Sequence, residues 1–213
     1  MGKNLSLIFD LDGCLIDSSE VQKAAFFGSY EEIVGDDNCP SYEEYIKQTG
    51  NSVDGMLKNL GLLEEMADPF RRISCEAIDK IKVNWEAMEL IKDLRNQGCK
   101  IALCTGKDHY RTVDILKYYH VDDLFDILVC ADDVTEPKPS AVPILEVIKC
   151  LGCKKDDVIM IGDGYNDVLS AKNAGVKSIL TLWYGDFGVP READTTVSNV
   201  SELSYIICEV KKK

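Results

Sequence analysis

The chain has 213 residues, of which 46% are hydrophobic and 29% are charged, a composition typical of a folded globular protein. This length allows one domain together with a modest insertion. The formal net charge of -13 repels phosphodiester backbones, so we expect no nucleic-acid partner. Because an anionic metabolite meets the same repulsion, any phosphate site must carry local positive charge from a metal ion, a lysine or backbone amides.

The cysteines and the first residues predict a cytoplasmic protein. The nine cysteines are scattered, odd in number and often flanked by apolar residues, which is typical of reduced thiols. The first apolar run stops at Asp10, too early for a signal sequence or a membrane span. We therefore expect no membrane contact, and nothing in the sequence predicts an obligate protein partner.

The first predicted element is a buried strand from Leu5 to Phe9. The segment from Ser18 to Val83 follows, with apolar residues at helical spacing and no convincing strand. It predicts a small helical insertion after the first strand. We call residues 18–83 the cap, and residues 1–17 together with 84–213 the core.

After the cap, short apolar runs alternate with stretches of helical periodicity. The further predicted strands are Lys100 to Cys104, Ile127 to Cys130, Val158 to Ile161 and Ser178 to Leu182. The predicted helices are Trp85 to Asn96, His109 to Tyr119, Val142 to Leu151, Asn166 to Asn173 and Leu203 to Val210. This alternation favours an α/β fold with a parallel sheet flanked by helices on both faces.

Polar residues follow the apolar runs directly, where the ligands of an open parallel sheet bind. These segments are Asp10-Leu-Asp12-Gly13, Thr105-Gly106-Lys107, Asp132-Asp133 and Gly162-Asp163-Gly164-Tyr-Asn-Asp167. Each segment by itself also fits a turn or a helix cap. Their joint occurrence at successive strand ends favours a functional site.

The carboxylates in these segments have a chemistry in common. Asp10 and Asp12 can approach one site, where one attacks and the other handles protons, while Asp163 and Asp167 add further oxygens. Such oxygen clusters suit Mg²⁺. A calcium loop is disfavoured, because neither cluster is followed by the closing glutamate of an EF-hand.

Two further segments suit an anion. Thr105 and Gly106 place a hydroxyl and backbone amides where a strand meets a helix, although Thr105 would also serve as a simple helix cap. Lys138 lies between two prolines, which restrict the backbone that presents its ammonium group. Without the other segments, a solvated surface lysine would be the better interpretation.

Four segments together resemble, in order and spacing, the four motifs of the haloacid-dehalogenase superfamily. They are Phe9-Asp10-Leu11-Asp12-Gly13, Thr105-Gly106-Lys107, Lys138-Pro139 and Gly162-Asp163-Gly164-Tyr165-Asn166-Asp167. The resemblance covers nearly the whole chain and implies a Rossmann-like core of five central parallel strands with a helical cap. Three other segments are similar to phosphatases associated with aminohydroxybenzoate synthesis, themselves similar to phosphoglycolate phosphatases: residues 30–35, 42–45 and 182–185.

Position by position, the resemblance implies a magnesium-dependent phosphomonoesterase that forms an aspartyl-phosphate on Asp10. Asp12 would protonate the leaving oxygen and then activate water. Asp10, the backbone carbonyl of Asp12 and Asp163 would hold Mg²⁺, while Asp167 would support these ligands and orient Lys138. The residues that would bind the phosphoryl group are Gly13, Thr105, Gly106 and Lys138.

The sequence departs from the family pattern at two places. Gly106 stands where relatives often have Asn, so one phosphate contact would differ from the family pattern. Asn84-Trp85 stands where relatives often have Pro-Gly, so the hinge between cap and core would differ as well. A predicted turn in the cap would reach over the site, exclude water and select the substrate. The residues of this cap loop are Thr49, Gly50, Asn51 and Ser52.

Four functional hypotheses arise. The leading one is a phosphomonoesterase acting on a small metabolite, either a sugar phosphate or a phosphoglycolate-like acid. A sugar phosphomutase similar to β-phosphoglucomutase shares all four motifs and returns the phosphate to its ligand. A non-catalytic phosphate-binding scaffold is disfavoured because it would need neither Asp10 nor Asp12, and a dehalogenase would need no proton donor at Asp12.

The remaining histidines and cysteines predict no second site. His109 and His120 have no cysteine or carboxylate at a ligand spacing, so we expect them to pack or to face solvent. Cys150 and Cys153 form a lone C-x-x-C without a second pair, which argues against zinc.

Overall fold

The computed structural model describes residues 4–35, 38–185 and 192–212. Its strands are β1 (Ser6–Phe9), β2 (Ile16–Asp17), β3 (Lys82–Val83), β4 (Lys100–Cys104), β5 (Ile127–Val129), β6 (Val158–Gly162), β7 (Lys177–Thr181) and β8 (Thr195–Val197). Its α-helices are α1 (Ser19–Ile33), α2 (Tyr42–Ile46), α3 (Val53–Leu60), α4 (Ala67–Glu76), α5 (Trp85–Asn96), α6 (His109–Tyr118), α7 (Val142–Leu151), α8 (Tyr165–Ala174) and α9 (Val200–Lys211). The predicted strands and core helices are all present, with bounds that agree to within a few residues.

Within the described residues, six strands form a sheet in the order β5-β4-β1-β6-β7-β8. Strand β1 lies between β4 and β6, with Phe9 opposite Leu103 on one side and Ile161 on the other. Every pair in this sheet is parallel, so the carboxyl ends of β1, β4 and β6 lie at the same edge. The predicted α/β fold with a Rossmann-like parallel sheet is confirmed.

Helices cover both faces of the sheet, as the side chains of β1 show. Leu7 and Phe9 pack in a hydrophobic cluster with residues of α5 and α9, whereas Ile8 packs in a second cluster with residues of α7 and α8. Successive side chains of a strand point to opposite faces. A strand buried on both faces therefore has an unbroken apolar run, which is the pattern that predicted β1.

The cap contains helices α1 to α4 and has a hydrophobic cluster of its own. The large buried side chains of this cluster are Phe26, Tyr45, Leu57, Met66 and Phe70. At the base of the cap, β2 and β3 pair as an antiparallel ribbon, with Ile16 opposite Val83. The prediction that the cap contains no strand is therefore wrong at β3, because a two-residue strand is too short to leave a periodic pattern. The boundaries of the cap stay a prediction, which its separate cluster supports.

Asn84 and Trp85, which replace the Pro-Gly expected from the resemblance, form the start of α5. The Oδ1 atom of Asn84 accepts a hydrogen bond from the amide of Ala87 (3.0 Å) and so caps the helix. The amide of Asn84 donates to the carbonyl of Leu15 (2.9 Å), so the two chain segments that join cap and core are tied together. This junction is thus a helix cap braced by a backbone hydrogen bond.

Strand β8 is the part of the sheet that the sequence did not predict. It has three residues, pairs with β7 and places Thr195 opposite Ile179 at the edge of the sheet. Short edge strands need not be apolar, because one of their sides is not covered by another strand. The Thr-Thr-Val sequence of β8 consequently carries no hydrophobic run.

Two general features concern the cysteines and the helices. All nine cysteines are free of disulfides, as expected for reduced thiols. Across the described ranges, no helix combines the length and the apolar character that crossing a membrane requires. The cytoplasmic location stays a prediction.

Candidate active site

The carboxyl edge of the sheet opens into a cleft of about 220 Å³ beneath the cap. The predicted residues that line it from the core are Asp10, Asp12, Gly13, Thr105, Gly106, Asp163 and Asp167. The cap loop lines it from the other side, with Thr49, Gly50, Asn51 and Ser52. Lys138 lies buried behind this lining. The structure therefore brings all the predicted site residues together, while their individual roles stay proposals.

Lys138 connects two of the carboxylates. Its Nζ atom donates to Oδ1 of Asp10 (2.9 Å), to Oδ1 of Asp167 (2.5 Å) and to the carbonyl oxygen of Cys104 (2.9 Å). Burial by itself would lower the pKa of Lys138, but the carboxylates of Asp10 and Asp167 raise it well above its ordinary value. The ammonium group thus keeps its proton near neutral pH, and all three of its protons have acceptors.

Three carboxylates crowd around this single ammonium group. Oxygens of Asp10, Asp163 and Asp167 lie within 4.8 Å of one another. Burial, reinforced by the neighbouring carboxylates, raises the pKa of Asp10 to about 7 and that of Asp163 well above its ordinary value. The cluster therefore has more negative charge than Lys138 offsets, and its all-oxygen donors fit a small, hard divalent cation such as Mg²⁺.

Asp167 already has partners for both of its oxygens. Oδ1 accepts from Lys138, and Oδ2 accepts from the backbone amide of Gly164 (3.0 Å). The Asp163 carboxylate has no comparable pair of partners among the described residues. This difference supports the prediction that Asp163 is a direct metal ligand and that Asp167 holds Lys138 and the ligands in place.

The Asp12 carboxylate contacts Ser18 of the cap and Lys107 of the core. Its Oδ1 atom accepts a hydrogen bond from the hydroxyl of Ser18, and its Oδ2 atom lies 3.1 Å from Nζ of Lys107. Burial would raise the pKa of Asp12, but Lys107 and Ser18 together lower it below its ordinary value. The free protein therefore holds Asp12 as a carboxylate.

A chain of hydrogen bonds continues from Asp12 into the cap. The Nε2 atom of Gln22 donates to the hydroxyl oxygen of Ser18 (2.6 Å), and the hydroxyl of Tyr45 donates to Oε1 of Gln22 (2.7 Å). Tyr45 belongs to the hydrophobic cluster of the cap. The orientation of the Asp12 carboxylate is therefore tied to the position of the cap.

Gly13 provides space for Asp163. Its φ of 75° lies in the left-handed region, and a Cβ atom at this position would lie 1.9 Å from Oδ2 of Asp163. Its amide already donates to the carbonyl of Ile16 (2.8 Å). Phosphate binding by Gly13 stays a prediction, and the contacts indicate that the residue is glycine because the Asp163 carboxylate needs its volume.

Gly106 has a comparable steric reason. A Cβ atom at residue 106 would lie 2.5 Å from the carbonyl oxygen of Gly50 in the cap loop. The asparagine that the resemblance leads one to expect there would collide with the loop. The departure from the family pattern thus allows the cap loop to lie directly against the core.

We expect Gly106→Ala to raise KM about tenfold or more, because the added methyl group would overlap the Gly50 carbonyl and push the cap loop away from the core. Steady-state kinetics on the best substrate would measure it. Gly152→Ala is the control, since Gly152 ends α7 in the left-handed conformation with open space around it. That variant should lower the melting temperature and leave KM unchanged, and an unchanged KM in Gly106→Ala would contradict the steric explanation.

The cap loop contacts the core through side chains as well. The Nδ2 atom of Asn166 donates to Oδ1 of Asn51 (3.2 Å) across the cleft. Ser52 has a different visible role, because its hydroxyl accepts from the amide of Gly55 (3.1 Å) and caps α3. Among the predicted selecting residues, Asn51 is thus the one whose side chain reaches the core.

The fold brings a carboxylate and a cysteine close to His109, although neither stands at a ligand spacing in the sequence. Its Nδ1 atom lies 2.8 Å from Oδ2 of Asp133, and the sulfur of Cys130 is close to both. Asp133 also accepts from the amide of Cys130 (2.8 Å), while Asp132 accepts from the amide of His109 (2.7 Å). These bonds join the loop after β5 to the start of α6, so they give the cluster a structural role.

Two cations line the cleft without a role predicted from the sequence, namely Lys107 and Arg111. Lys107 follows the Thr105-Gly106 pair, so its position directly after a strand end could have predicted its place in the cleft. Arg111 had no such signal, because an arginine in the first turn of a predicted helix is ordinarily exposed. Here it is buried, with Nε donating to Oδ2 of Asp108 (2.6 Å).

A parallel sheet flanked by helices, with clustered aspartates and a buried lysine at its carboxyl edge, defines an α/β enzyme of the Rossmann-like class. The chain matches the haloacid dehalogenase-like hydrolase family over residues 7–181, and it belongs to that family. The predicted superfamily and the prediction of a hydrolase are confirmed. The closer resemblance to phosphatases of aminohydroxybenzoate synthesis stays a prediction.

Relatives with assigned functions and known structures are similar over most of the chain. The chain is 33% identical to pyrophosphatase PpaX of Halalkalibacterium halodurans over 176 residues, 81% of either protein. A hydrolase from Pseudomonas syringae is 25% identical with a TM-score of 0.84, covering 97% of this chain and 99% of that one. CbbY from Rhodobacter sphaeroides, solved in complex with phosphate, shares the fold at 19% identity with a TM-score of 0.81, covering 95% and 96%.

Proposed function

We propose that the protein is a magnesium-dependent phosphomonoesterase that hydrolyses a small phosphorylated metabolite through an aspartyl-phosphate on Asp10. The observation that carries this proposal is the buried ammonium group of Lys138, which bridges Asp10 and Asp167 beside Asp163. A carboxylate repels a phosphate dianion unless nearby positive charge offsets the repulsion. Lys138 supplies part of that charge at the attacking residue.

The proposed reaction has two steps. An oxygen of Asp10 bonds to phosphorus while the bond from phosphorus to the leaving oxygen breaks, and Asp12 gives that oxygen a proton. Asp12 then takes a proton from a water molecule, whose oxygen attacks the phosphorus. The bond to Asp10 breaks, and inorganic phosphate leaves.

The residues around this reaction have distinct tasks in the proposal. Magnesium, when held by Asp10, the backbone carbonyl of Asp12 and Asp163, supplies positive charge that offsets the repulsion between phosphate and carboxylate. Lys138, Thr105 and Gly106 contact the phosphoryl oxygens, as the family resemblance implies. The sites of these contacts lie together at the ends of β1 and β4, which supports the assignment.

The proton that Asp12 donates must be acquired during substrate binding. In the free protein, Lys107 and Ser18 keep the pKa of Asp12 low, so that its carboxylate starts without a proton. A phosphate monoester brings either a proton of its own or negative charge that draws Lys107 away from Asp12. Either change favours protonation of Asp12 at the moment when the leaving oxygen needs a proton.

Phosphate release from a panel of phosphorylated metabolites, measured with Mg²⁺ and again after chelation, tests the proposal. Release that requires the metal ion supports it. Absence of release from every compound by well-folded protein would contradict it. The mutase alternative predicts a different product, because the phosphate returns to the sugar, and an isomerisation assay with a bisphosphate primer separates the two. The name of the curated relative, a pyrophosphatase, favours hydrolysis.

We expect Asn51→Ala to change substrate preference. Its side chain accepts from Asn166 across the cleft, so its loss loosens the cap loop that would contact the leaving group. The ratio of kcat/KM between the best metabolite and p-nitrophenyl phosphate should fall by up to about tenfold, as expected for one neutral hydrogen bond. The exposed Asn96 on α5 gives a matched control, Asn96→Ala. Equal losses on both substrates would count against selection by the loop.

A further inference from the structure

Beside the proposed reaction centre lies a cluster of largely buried cations, of which only Lys107 has a part in the proposed chemistry, through its contact with Asp12. The Lys107 and Arg111 side chains are 7% and 5% exposed, and both residues line the cleft. Arg71, in α4 of the cap, is 19% exposed and joins them through Asp108. Burying a cation costs free energy unless it is paired, so the pairing of these cations decides what else they can bind.

The cations outnumber the buried carboxylates that face them. Lys107 shares Asp12 as its partner (3.1 Å). Asp108 is shared between Nε of Arg111 (2.6 Å) and Nε of Arg71 (3.3 Å). Arg71 has two additional partners, Asp54 at 2.7 Å and Asp68 at 3.8 Å, which are 65% and 98% exposed and are therefore well screened by solvent. Three largely buried cations thus face two largely buried carboxylates, so the positive charge on this wall of the cleft is only partly neutralised by groups shielded from solvent.

Arg111 is held in a fixed orientation. Its Nη1 atom donates to the hydroxyl of Ser74 (3.1 Å), its Nε atom donates to Asp108, and the ring of Phe70 lies 5.8 Å from the guanidinium carbon. Contacts on several sides reduce the entropy that ligand binding would otherwise cost. A planar guanidinium fixed at the edge of a cleft is suited to a carboxylate or a phosphate.

The position of the cluster relates it to the leaving group. Lys138 lies on the side of Asp10 and Asp167, whereas Lys107 lies beside Asp12, the proposed proton donor to the leaving oxygen. A group bonded to that oxygen therefore extends toward Lys107 and Arg111. With a neutral leaving group, this excess positive charge would be balanced only by the solvent-exposed carboxylates of Asp54 and Asp68.

We propose that Lys107 and Arg111 form a subsite for a second anionic group, so that the substrate is a phosphate ester or anhydride whose leaving group carries a carboxylate or a phosphate. This assignment rests on the proposed function and separates the phosphoglycolate-like class from neutral sugar phosphates. A carboxylate and a phosphate would be recognised by the same cations. Substrates whose leaving group carries one or the other distinguish between them.

Binding tests the subsite without any turnover. Calorimetry at fixed free Mg²⁺ would compare methylenebisphosphonate, which has two anionic groups, with methylphosphonate, which has one. We expect wild-type protein to bind the first about 10- to 100-fold more tightly, the effect of one charge-assisted contact. The preference should largely vanish in Lys107→Met and persist in Lys149→Met, whose lysine is 75% exposed on α7. Equal binding of both ligands by wild type, or a preference unchanged in Lys107→Met, would overturn the subsite.

Turnover separates this proposal from the proposed function. We would compare kcat/KM for 2-phosphoglycolate with that for 2-hydroxyethyl phosphate, a neutral analogue of similar size, and include inorganic pyrophosphate as the phosphate-bearing arm. The anionic substrates should be preferred about 10- to 100-fold by wild type and much less by Lys107→Met. Arg111→Lys, which keeps the charge and removes the planar fork, should give an intermediate preference. Hydrolysis of all the substrates without preference would contradict the subsite and leave the phosphatase proposal standing. If no substrate were hydrolysed while the binding preference remained, the phosphatase proposal would be contradicted and the subsite would stand.

Discussion

Asp10→Asn should lower kcat for phosphate release by about 10³-fold or more, because a carboxamide oxygen is a poor nucleophile and cannot form the aspartyl-phosphate. Asparagine has nearly the same size and can still accept a hydrogen bond from Lys138, so the fold should be preserved. Phosphate release on the best substrate measures the loss. The control is Asp93→Asn on the exposed face of α5, which should retain wild-type kcat. Activity retained by Asp10→Asn would remove Asp10 from the mechanism.

The same variant should change how stability depends on pH. Burial raises the pKa of Asp10 from 3.8 to about 7, so without a bound cation the folded protein holds this proton more tightly than the unfolded chain does. Wild-type stability is therefore lost as the pH rises from about 4 to about 7, and Asn, which has no proton to lose, avoids this loss. With metal removed, Asp10→Asn should have a higher melting temperature than wild type at pH 8, and this advantage should disappear near pH 4. If the melting temperatures of Asp10→Asn and wild type differed equally at pH 8 and at pH 4, the buried charge of Asp10 would not be what destabilises the wild type.

The strand ends were predictable because two physical rules act together. A strand buried on both faces, such as β1 or β6, has an unbroken apolar run, and the first polar residue after it marks the edge of the sheet. Parallel pairing then brings Asp10 and Asp163 to the same edge although they are far apart in sequence. The carboxylate cluster follows from these rules without knowledge of any side-chain contact.

The contacts between cap and core could not be predicted in the same way. Gly50 and Gly106 lie against each other only because two separately folded clusters meet at this place, and neither glycine shows that in its local sequence. Arg111 is a similar case, since its burial depends on Ser74 and Phe70 of the cap. Residues that act across the cleft depend on tertiary placement, which periodicity and motif spacing do not describe.

Lys138→Met should cause the largest combined loss of activity and stability. The variant removes the only ammonium group in contact with Asp10 and Asp167 in the described part of the chain, and breaking a buried pair from one side costs about 3–5 kcal/mol. Urea unfolding would measure this free energy. The loss in kcat/KM should be about 10²-fold or more, because a preorganised charge at the phosphoryl group is removed as well. Lys149→Met, at an exposed position, should change neither quantity.

A double variant, Lys138→Met with Asp167→Asn, separates the two effects of Lys138. Asparagine at residue 167 removes one of the two buried charges that the single variant leaves unpaired, so part of the lost stability should return. Activity should not return, because the phosphoryl group still lacks its ammonium partner. Unfolding free energies at pH 8 for the wild type, both single variants and the double variant would give the coupling between residues 138 and 167. Additive losses would mean that the 2.5 Å contact between Lys138 and Asp167 contributes little, and that Lys138 stabilises the fold through Asp10 and the carbonyl of Cys104 instead.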